Sequence, residues 1–262
     1  MRKNTSASRL SVCFIVLLLI ALLTHVGFSQ TQGSPQQIMY QAMDIQVKTG
    51  MGPAFESFMK SDVVPAVRKA GIPMMIVFRT DNFGQAGLYT IVSPLQSLAE
   101  LDQPDPLVQA IGEEGVGAMM AKMQPLIYEP KLYEIAGRGD LGISPSNGYE
   151  LKLALVVSAS VAPGRTEDYE KFVKGMLGVL AKTNTKGILA GRVGLGGNPN
   201  QYLFYSLFDS FADINAFGQA YSKAVAEAQL LFPVGIVVHQ EMAVKRFVPE
   251  LSVMPTAPKA KQ

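Results

Sequence analysis

Residue types that often catalyse reactions or bind metals are scarce in this sequence. Its 262 residues include one cysteine, two histidines and no tryptophan. Cys13 and His25 lie near the N-terminus, so His239 is the only histidine in the rest of the chain. Beyond residue 29, a disulfide, a catalytic thiolate and a cysteine metal site are therefore excluded. One histidine and scattered carboxylates are too few ligands for a typical metal site, so no metal is predicted.

Charge is also low and nearly balanced. Charged residues make up 17% of the chain, with 23 basic and 21 acidic side chains. Three of the basic residues fall within the first ten positions, which leaves 20 basic against 21 acidic residues in the remainder. This balance favours neither a nucleic acid nor an anionic membrane surface as a partner. A small-molecule ligand and a homo-oligomer are the partners that stay open.

The N-terminal segment has the pattern of an export signal. Basic residues precede an apolar run at residues 12–23, and the small residues Gly27 and Ser29 follow it. We expect cleavage after Ser29, which predicts a periplasmic or secreted protein. The alternative is an uncleaved anchor, because the uncharged stretch from residue 10 to 28 approaches the roughly 20 residues that span a bilayer.

Two stretches of the chain carry the same order of predicted elements. A shift of 116 residues aligns Gly71 with Gly187 and Tyr89 with Tyr205 without a gap. The first stretch contains, in order, a strand at 43–49, a helix at 55–70 kinked at Pro65, a hairpin of strands at 74–80 and 86–92, a helix that is interrupted at 102–106 and ends near Met123, and a strand at 126–135. Ser93 and Pro94 have the pattern of a helix start and predict that the second helix begins there.

The second stretch repeats this order. It contains a strand at 151–161, a helix at 169–180, a hairpin of strands at 187–195 and 201–208, a helix capped by Asp209 or Ser210, and a strand at 235–247. Each stretch is thus a ferredoxin-like βαββαβ repeat, and the fold class is α+β. The predicted organisation is a signal peptide at 1–29, repeats at 36–136 and 150–249, a linker at 137–149 and a disordered tail at 250–262.

The sequence "LFYSLFDSFADINAF", residues 203–217, is similar to the strand, acidic cap and helix of the dimeric α+β-barrel superfamily. That superfamily includes antibiotic-biosynthesis monooxygenases, NIPSNAP proteins, haem-degrading monooxygenases and chlorite dismutases. The resemblance implies that the two repeats pack sheet to sheet as an intrachain barrel. It also implies a site either inside the barrel or between a sheet and its helices, and a cofactor-independent oxygenase as one activity. The position near Gln219, where many relatives carry a histidine, has none here.

Polar side chains on predicted strands are the candidates for lining a ligand pocket. They are Asp44, Arg79, Tyr89, Arg192, Tyr205, His239 and Glu241. Tyr89 and Tyr205, which the alignment pairs, are expected at matching places in the two repeats, either as pocket residues or as core aromatics. His239 is either a structural residue or an axial haem ligand. The resemblance does not supply the haem role, because related haem enzymes carry that ligand on a helix.

Three functions remain open on these grounds. The first is binding of a small, largely apolar molecule, favoured by the apolar strand faces and the shortage of catalytic residue types. The second is a cofactor-independent monooxygenase acting on an aromatic or polyketide-like substrate. The third is an assembly module without a ligand. No cofactor is predicted, and haem is the alternative.

Overall fold

The computed structural model of the protein describes residues 38–229 and 232–255. The predicted signal peptide at 1–29, the start of the first repeat at 36 and the last seven residues of the predicted tail lie outside these ranges. No helix of the described ranges is long and apolar enough to cross a membrane.

Eight strands alternate with helices along the described chain. The strands are β1 Met39–Gln46, β2 Ile76–Thr80, β3 Leu88–Leu95, β4 Lys131–Gly137, β5 Leu153–Val161, β6 Ile188–Val193, β7 Gln201–Phe208 and β8 Val237–Phe247. The helices are α1 Gly52–Phe58, α2 Val64–Lys69, α3 Pro106–Met123, α4 Thr166–Leu180 and α5 Phe211–Ala228. A π-helical turn at Met59–Val63 joins α1 to α2, next to the proline that the sequence marks as a kink.

The strands close into one antiparallel barrel in the order β1-β3-β2-β8-β5-β7-β6-β4. Within it, each half of the chain forms a ferredoxin-like sheet, β4-β1-β3-β2 in the first half and β8-β5-β7-β6 in the second. Two seams join the sheets, β2 against β8 and β4 against β6. Closure pairs every edge strand, and an unpaired edge is what an isolated four-stranded sheet would expose. The predicted α+β fold of two ferredoxin-like units forming an intrachain barrel is confirmed.

Strand alternation separates an interior face from a helix-covered face. Interior clusters join residues of both sheets, as Ala42 with Leu203 and Phe78 with Leu207 do. The outer faces pack on helices: Ile45 and its neighbours lie under α1 and α2. Large side chains such as Phe78, Leu207 and Phe247 fill the interior toward one end of the barrel.

Two predictions about connecting segments are wrong: the helix start at Ser93 and the disorder of the chain from residue 250. The second helix of the first half does not begin at Ser93, because β3 continues to Leu95 and pairs with β1 as far as Met39. Strand pairing overrides the local helix-start pattern there. The predicted linker is ordered, since Leu141 is fully buried and Ile143 forms an isolated bridge with Ile188.

The predicted disordered tail begins too early at residue 250. A 3-10 turn at Pro249–Leu251 is followed by an isolated bridge between Val253 and Met75. Leu251 is 1% exposed and packs into the core beneath the helices of the first half. Its apolar side chain is therefore part of the fold, although the surrounding prolines suggest a loose segment in the sequence.

Candidate functional site

The barrel interior contains a cavity of about 460 Å³ at the end opposite to Phe78 and Phe247. The hairpin loop between β2 and β3 borders its mouth through Gly84 and Gln85. Side chains from both halves line the cavity: Asp44, Thr80, Leu88, Lys131, Tyr133, Val156, Ser158, Val193, Gln201, Leu203, Tyr205, Glu241, Met242, Ala243 and Lys245. The site therefore exists only when both seams of the barrel are formed.

A chain of hydrogen bonds crosses the cavity wall from one half of the protein to the other. Lys245 of β8 donates from Nζ to Thr90 Oγ1 of β3 at 2.5 Å. Thr90 Oγ1 donates in turn to Asp44 Oδ1 of β1 at 2.6 Å, and Tyr133 of β4 donates to Asp44 Oδ2 at 3.2 Å. One cation, one carboxylate and two hydroxyl groups are thus connected inside the barrel.

Burial is the largest cause of the pKa shifts of Lys245, Tyr133 and Tyr205 in the cavity wall. Lys245 is 7% exposed, and this desolvation lowers its pKa from the ordinary lysine value, while the negative charge of Asp44 acts in the opposite direction. Burial also raises the pKa values of Tyr133 and Tyr205, so both phenols stay protonated. The lysine ammonium is therefore less favoured here than on the surface, and its neutral amine more favoured.

Thr80 adds a hydrogen-bonding group without a partner. It is 2% exposed, it lines the cavity, and its Oγ1 accepts or donates no hydrogen bond among the described residues. Buried hydroxyl groups normally have partners, because desolvating one without compensation costs about 1–3 kcal/mol. Thr80 pairs with Lys245 in the register of the β2–β8 seam, so the unpaired hydroxyl belongs to the same wall as the buried amine.

The hairpin loop needs glycine to approach the cavity mouth. Gly84 has φ +108, and a Cβ there would lie 2.8 Å from the Ala243 side chain and 3.2 Å from the Thr80 methyl group. The backbone nitrogen of Val244 also donates to the Phe83 carbonyl at 3.0 Å, which fixes the loop against β8. A larger residue at position 84 would therefore push the loop away from the mouth.

Three of the seven predicted site residues line the cavity: Asp44, Tyr205 and Glu241. Tyr205 packs in the interior with its ring 5.6 Å from that of Phe78. Glu241 lies at the rim, where its carboxylate is 3.0 Å from the imidazole of His239.

His239 does not have the surroundings of a haem ligand. Its side chain is 61% exposed, and its partner Glu241 is 72% exposed. An axial ligand needs an imidazole held in an enclosed pocket beside the iron, and these residues offer none. The residues at His239 therefore do not fit a haem group. In the described ranges no three histidine, cysteine, aspartate or glutamate side chains are grouped in the manner of a metal site.

Arg79 and Tyr89 lie outside the barrel, on the face that packs against α1. Tyr89 donates to Glu56 Oε1 at 2.6 Å, and the Arg79 guanidinium also contacts that carboxylate. Burial raises the pKa of Tyr89. The Phe55 ring lies 4.8 Å from that of Tyr89. This group fastens the helix to the sheet and is separate from the cavity.

The second half has a matching group, and it corrects the predicted pairing of tyrosines. Tyr202 donates to Glu170 Oε1 at 2.6 Å, and its ring lies 5.0 Å from that of Tyr169. Tyr202, not Tyr205, is thus the counterpart of Tyr89, because Tyr205 faces the interior. Arg192 lies on this outer face too, with its guanidinium 5.7 Å from the centre of the Tyr202 ring.

Sequence reasoning missed Thr80, Thr90, Tyr133 and Lys245. The alternation of β8 places Lys245 on the same face as Glu241 and Ala243, so the sequence does put a lysine beside the predicted site residues, although Lys245 is not one of them. The burial of Lys245 could not be predicted, since it depends on contacts with strands of the other half. Thr90 and Thr80 have side chains that are common in any strand, and nothing local distinguishes them.

Comparison with solved structures agrees with this architecture. No protein-family model matches the sequence, and no curated protein matches it. A monooxygenase-like protein from Fusobacterium nucleatum subsp. nucleatum superposes with a TM-score of 0.56 at 9% identity, covering 82% of this chain and 94% of that one. An anthrone oxidase-like protein gives a TM-score of 0.54 at 11% identity, with 82% and 92% covered.

A chlorite dismutase from Candidatus Nitrospira defluvii gives a TM-score of 0.53 at 8% identity, with 83% of this chain and 93% of that one covered. Each neighbour extends over both halves of the barrel, because the shared part is more than four fifths of either chain. The chain thus shares the two-sheet α+β-barrel fold of these proteins. At these identities the likeness defines the fold alone.

Proposed function

We propose that the barrel interior binds a small molecule with an apolar body and one hydrogen-bond-accepting or anionic oxygen. The observation that carries this is Lys245, a buried cation in the wall of a cavity that opens at one end of the barrel. Burying a charged amine is costly, so its presence beside a cavity favours a binding role over a packing role.

The donors in the wall support an oxygen-bearing ligand. The Lys245 ammonium has three N–H donors, and in the described residues one of them is given to Thr90. Thr80 lies opposite Lys245 in the register of the β2–β8 seam, and its hydroxyl can donate a hydrogen bond to the same ligand oxygen. A carboxylate, phenol or carbonyl oxygen placed between the two would satisfy both groups.

The remaining wall supports an apolar body. Val156, Val193 and Leu203 are buried residues of the interior that line the cavity. A volume of about 460 Å³ falls in the range of small-molecule pockets. The largely apolar ligand that the sequence favours is therefore specified further as one with a polar end.

The test measures the binding of two simple aromatic acids, benzoate and 1-naphthoate, by titration calorimetry and ligand-observed NMR. We expect saturable binding that Lys245→Met weakens by about tenfold or more, the effect of losing one charged hydrogen bond. The matched control is Lys152→Met, because Lys152 is an exposed residue that does not line the cavity. Equal affinity of the two variants, or the absence of saturable binding by the unaltered protein, would contradict the proposal.

A second candidate is a cofactor-independent monooxygenase. It is favoured by the shared fold with monooxygenase-like and anthrone oxidase-like proteins, together with the Asp44–Thr90–Lys245 chain as a route for a proton. An anthrone would supply all the electrons: its methylene group becomes a carbonyl, and dioxygen gives one atom to the product and one to water. Asp44 would accept the methylene proton through Thr90.

Oxygen uptake with anthrone tests this activity. We expect uptake in the presence of a metal chelator, with quinone formed in equal amount, and a loss of about 10²-fold or more in Asp44→Asn. Glu134→Gln is the control, since Glu134 is a carboxylate of β4 that lies outside the interior chain. Unchanged uptake in Asp44→Asn would assign the reaction to another group.

We also propose that the chain is exported and that its N-terminal segment is removed. The support is the basic, apolar and small-residue pattern of residues 1–29. The intact mass of protein from a periplasmic fraction tests it. A mass that matches residues 30–262 is expected, and a mass that includes the apolar segment would identify an anchor.

A homo-oligomer is a further proposal. Apolar side chains are exposed on outer strand faces, with Leu132 45% and Val238 65% exposed. Light scattering on the purified protein would measure the assembly. A mass of one chain at all concentrations would contradict it.

A further inference from the structure

We propose that Lys245 forms a reversible imine with an aldehyde or ketone bound in the barrel cavity. This rests on the proposed function and narrows its ligand class to carbonyl compounds. The carbonyl carbon would meet the Lys245 amine, and the carbonyl oxygen would lie near the Thr80 hydroxyl.

The position of Lys245 is that of a lysine nucleophile. Its side chain is enclosed, yet it forms part of the wall of a cavity that a ligand can enter. Desolvation favours the neutral amine, the form that attacks a carbonyl, and it is the main cause of the lowered pKa of this residue. An ordinary surface lysine is almost entirely protonated near neutral pH, which slows the same attack.

The hydrogen-bond chain can move the protons that imine formation requires. The nitrogen lone pair attacks the carbonyl carbon, a C–N bond forms, and the C–O π electrons move to oxygen. The proton lost by nitrogen passes through Thr90 Oγ1 to Asp44, which is 2.6 Å from that hydroxyl. The alkoxide oxygen takes one proton, which gives a carbinolamine, and then a second, returned from Asp44, with which it leaves as water. The nitrogen lone pair forms the C=N bond as the C–O bond breaks, and the nitrogen gives up its second proton, so no oxidant or reductant is consumed.

Tyr133 completes this arrangement by holding the carboxylate. It donates to the second oxygen of Asp44 at 3.2 Å, which leaves the first oxygen directed at Thr90. Burial raises the pKa of Tyr133, so this donor keeps its proton over the working range. Asp44 and Thr90 are then positioned for transfer before a ligand enters, and no rearrangement of the wall is needed.

The Thr80 hydroxyl is placed to bind the carbonyl oxygen of the ligand. Its Oγ1 is buried and has no partner among the described residues, so an incoming carbonyl oxygen would satisfy it. A hydrogen bond to that oxygen would polarise the carbonyl and stabilise the negative charge that develops during attack. The same wall thus provides a nucleophile, a proton route and an oxygen-binding donor.

Trapping with benzaldehyde and sodium cyanoborohydride tests the proposal. The reductant converts an imine into a stable secondary amine whose added mass equals the aldehyde less one oxygen atom. Peptide mapping by mass spectrometry would locate the adduct. We expect Lys245 to be labelled several-fold faster than any other lysine, because burial lowers its pKa and so raises the fraction of the neutral amine that attacks a carbonyl.

Two variants make the result specific. Lys245→Met should remove the fast label, whereas Lys152→Met should keep it at the unaltered rate. Thr80→Val, which preserves the shape of the residue, should slow the label on Lys245 by about 2- to 10-fold, the effect of one lost hydrogen bond. Competition by benzoate should slow it as well, since the acid occupies the same cavity.

The outcomes separate this inference from the function beneath it. If labelling is spread over exposed lysines and Lys245 reacts no faster, while benzoate still binds in a Lys245-dependent way, the imine is excluded and the binding site stands. If benzoate does not bind and Lys245 is not labelled, both proposals fail. Fast labelling of Lys245 that Lys245→Met abolishes would support both.

Discussion

Thr80 and Lys245 pair with each other across the β2–β8 seam, where the two halves of the chain meet. One contributes a hydroxyl without a partner among the described residues, and the other a buried amine that reaches Thr90. Neither residue could form a site within its own half. The chemistry of the cavity is therefore a property of barrel closure, and the seam is the place where substitutions should separate stability from binding.

Thr80→Val should leave the fold intact. Because the Thr80 hydroxyl is buried without a partner, replacing it with a methyl group should leave the free energy of unfolding unchanged or raise it by up to about 1 kcal/mol. Urea unfolding measures this. Thr90→Val is the matched comparison: it removes bonds to both Lys245 and Asp44 and should lower the free energy of unfolding by about 2–4 kcal/mol. A large loss in Thr80→Val would show that its hydroxyl is satisfied in solution.

Gly84→Ala should destabilise the protein more than the substitution of a positive-φ glycine that has open space around it. The new Cβ would meet Ala243 at 2.8 Å and would also occupy a φ of +108, so we expect a loss of about 1–3 kcal/mol. Gly148→Ala is the control, because Gly148 has φ +78 but nothing within 4 Å of the new Cβ. Thermal unfolding would compare them, with hydrogen exchange at residues 81–87 as a local readout. Equal losses would mean that backbone strain alone matters.

The partly buried Arg138 and its two carboxylate partners, Glu170 and Asp140, should make the fold sensitive to acid. Arg138 donates to Glu170 Oε2 at 2.7 Å and to Asp140 Oδ1 at 2.8 Å, and these hydrogen bonds are the main reason that both carboxyl pKa values are lowered. The stabilisation is complete above the ordinary carboxyl pKa of about 4 and is lost as the pH falls through the lower, folded values.

Urea unfolding between about pH 6 and about pH 2 measures this effect. We expect the free energy of unfolding to fall with pH, and to fall less steeply in Glu170→Gln. Glu167→Gln, an exposed change on the same helix, should keep the original slope. A Glu170→Gln slope identical to that of the unaltered protein would show that the cluster does not carry the acid sensitivity.

Leu251→Ala should destabilise the protein although it lies near the C-terminal end. Leu251 is 1% exposed and packs into the core of the first half, so truncation should cost about 2–5 kcal/mol. Met254→Ala is the control, since Met254 is 50% exposed. Chemical denaturation measures both. A neutral Leu251→Ala would return this segment to the loose tail that its prolines suggest.

Local patterns predict most elements of this fold and fail where distant pairing decides. Ser210 caps α5, because its Oγ accepts a hydrogen bond from the backbone nitrogen of Asp213 at 3.2 Å. Neighbouring residues alone are enough to predict this cap. Ser93 and Pro94 have an equally good helix-start pattern, yet they lie in β3 because they pair with Gln41 and Tyr40. The sequence contains no local sign of that pairing.

The candidate site is likewise predicted only in part. Asp44 and Tyr205 are predicted from strand alternation, and the structure places both on the cavity wall. Arg79 and Tyr89 are polar strand residues of the same kind, but they face the helices. Which face is interior depends on where the helices cover the sheet, and only the assembled barrel determines that.

Closure of the barrel within one chain has a consequence for asymmetry. Two identical chains would present every interior side chain twice about their common axis, so a lysine on one strand would be matched by a second lysine opposite. In this barrel Asp44 and Ser158 occupy the same place in β1 and β5, and both border the cavity, yet only one is a carboxylate. A single chain can thus set one cation against one anion and give the cavity a direction, which orients an entering molecule in one way only.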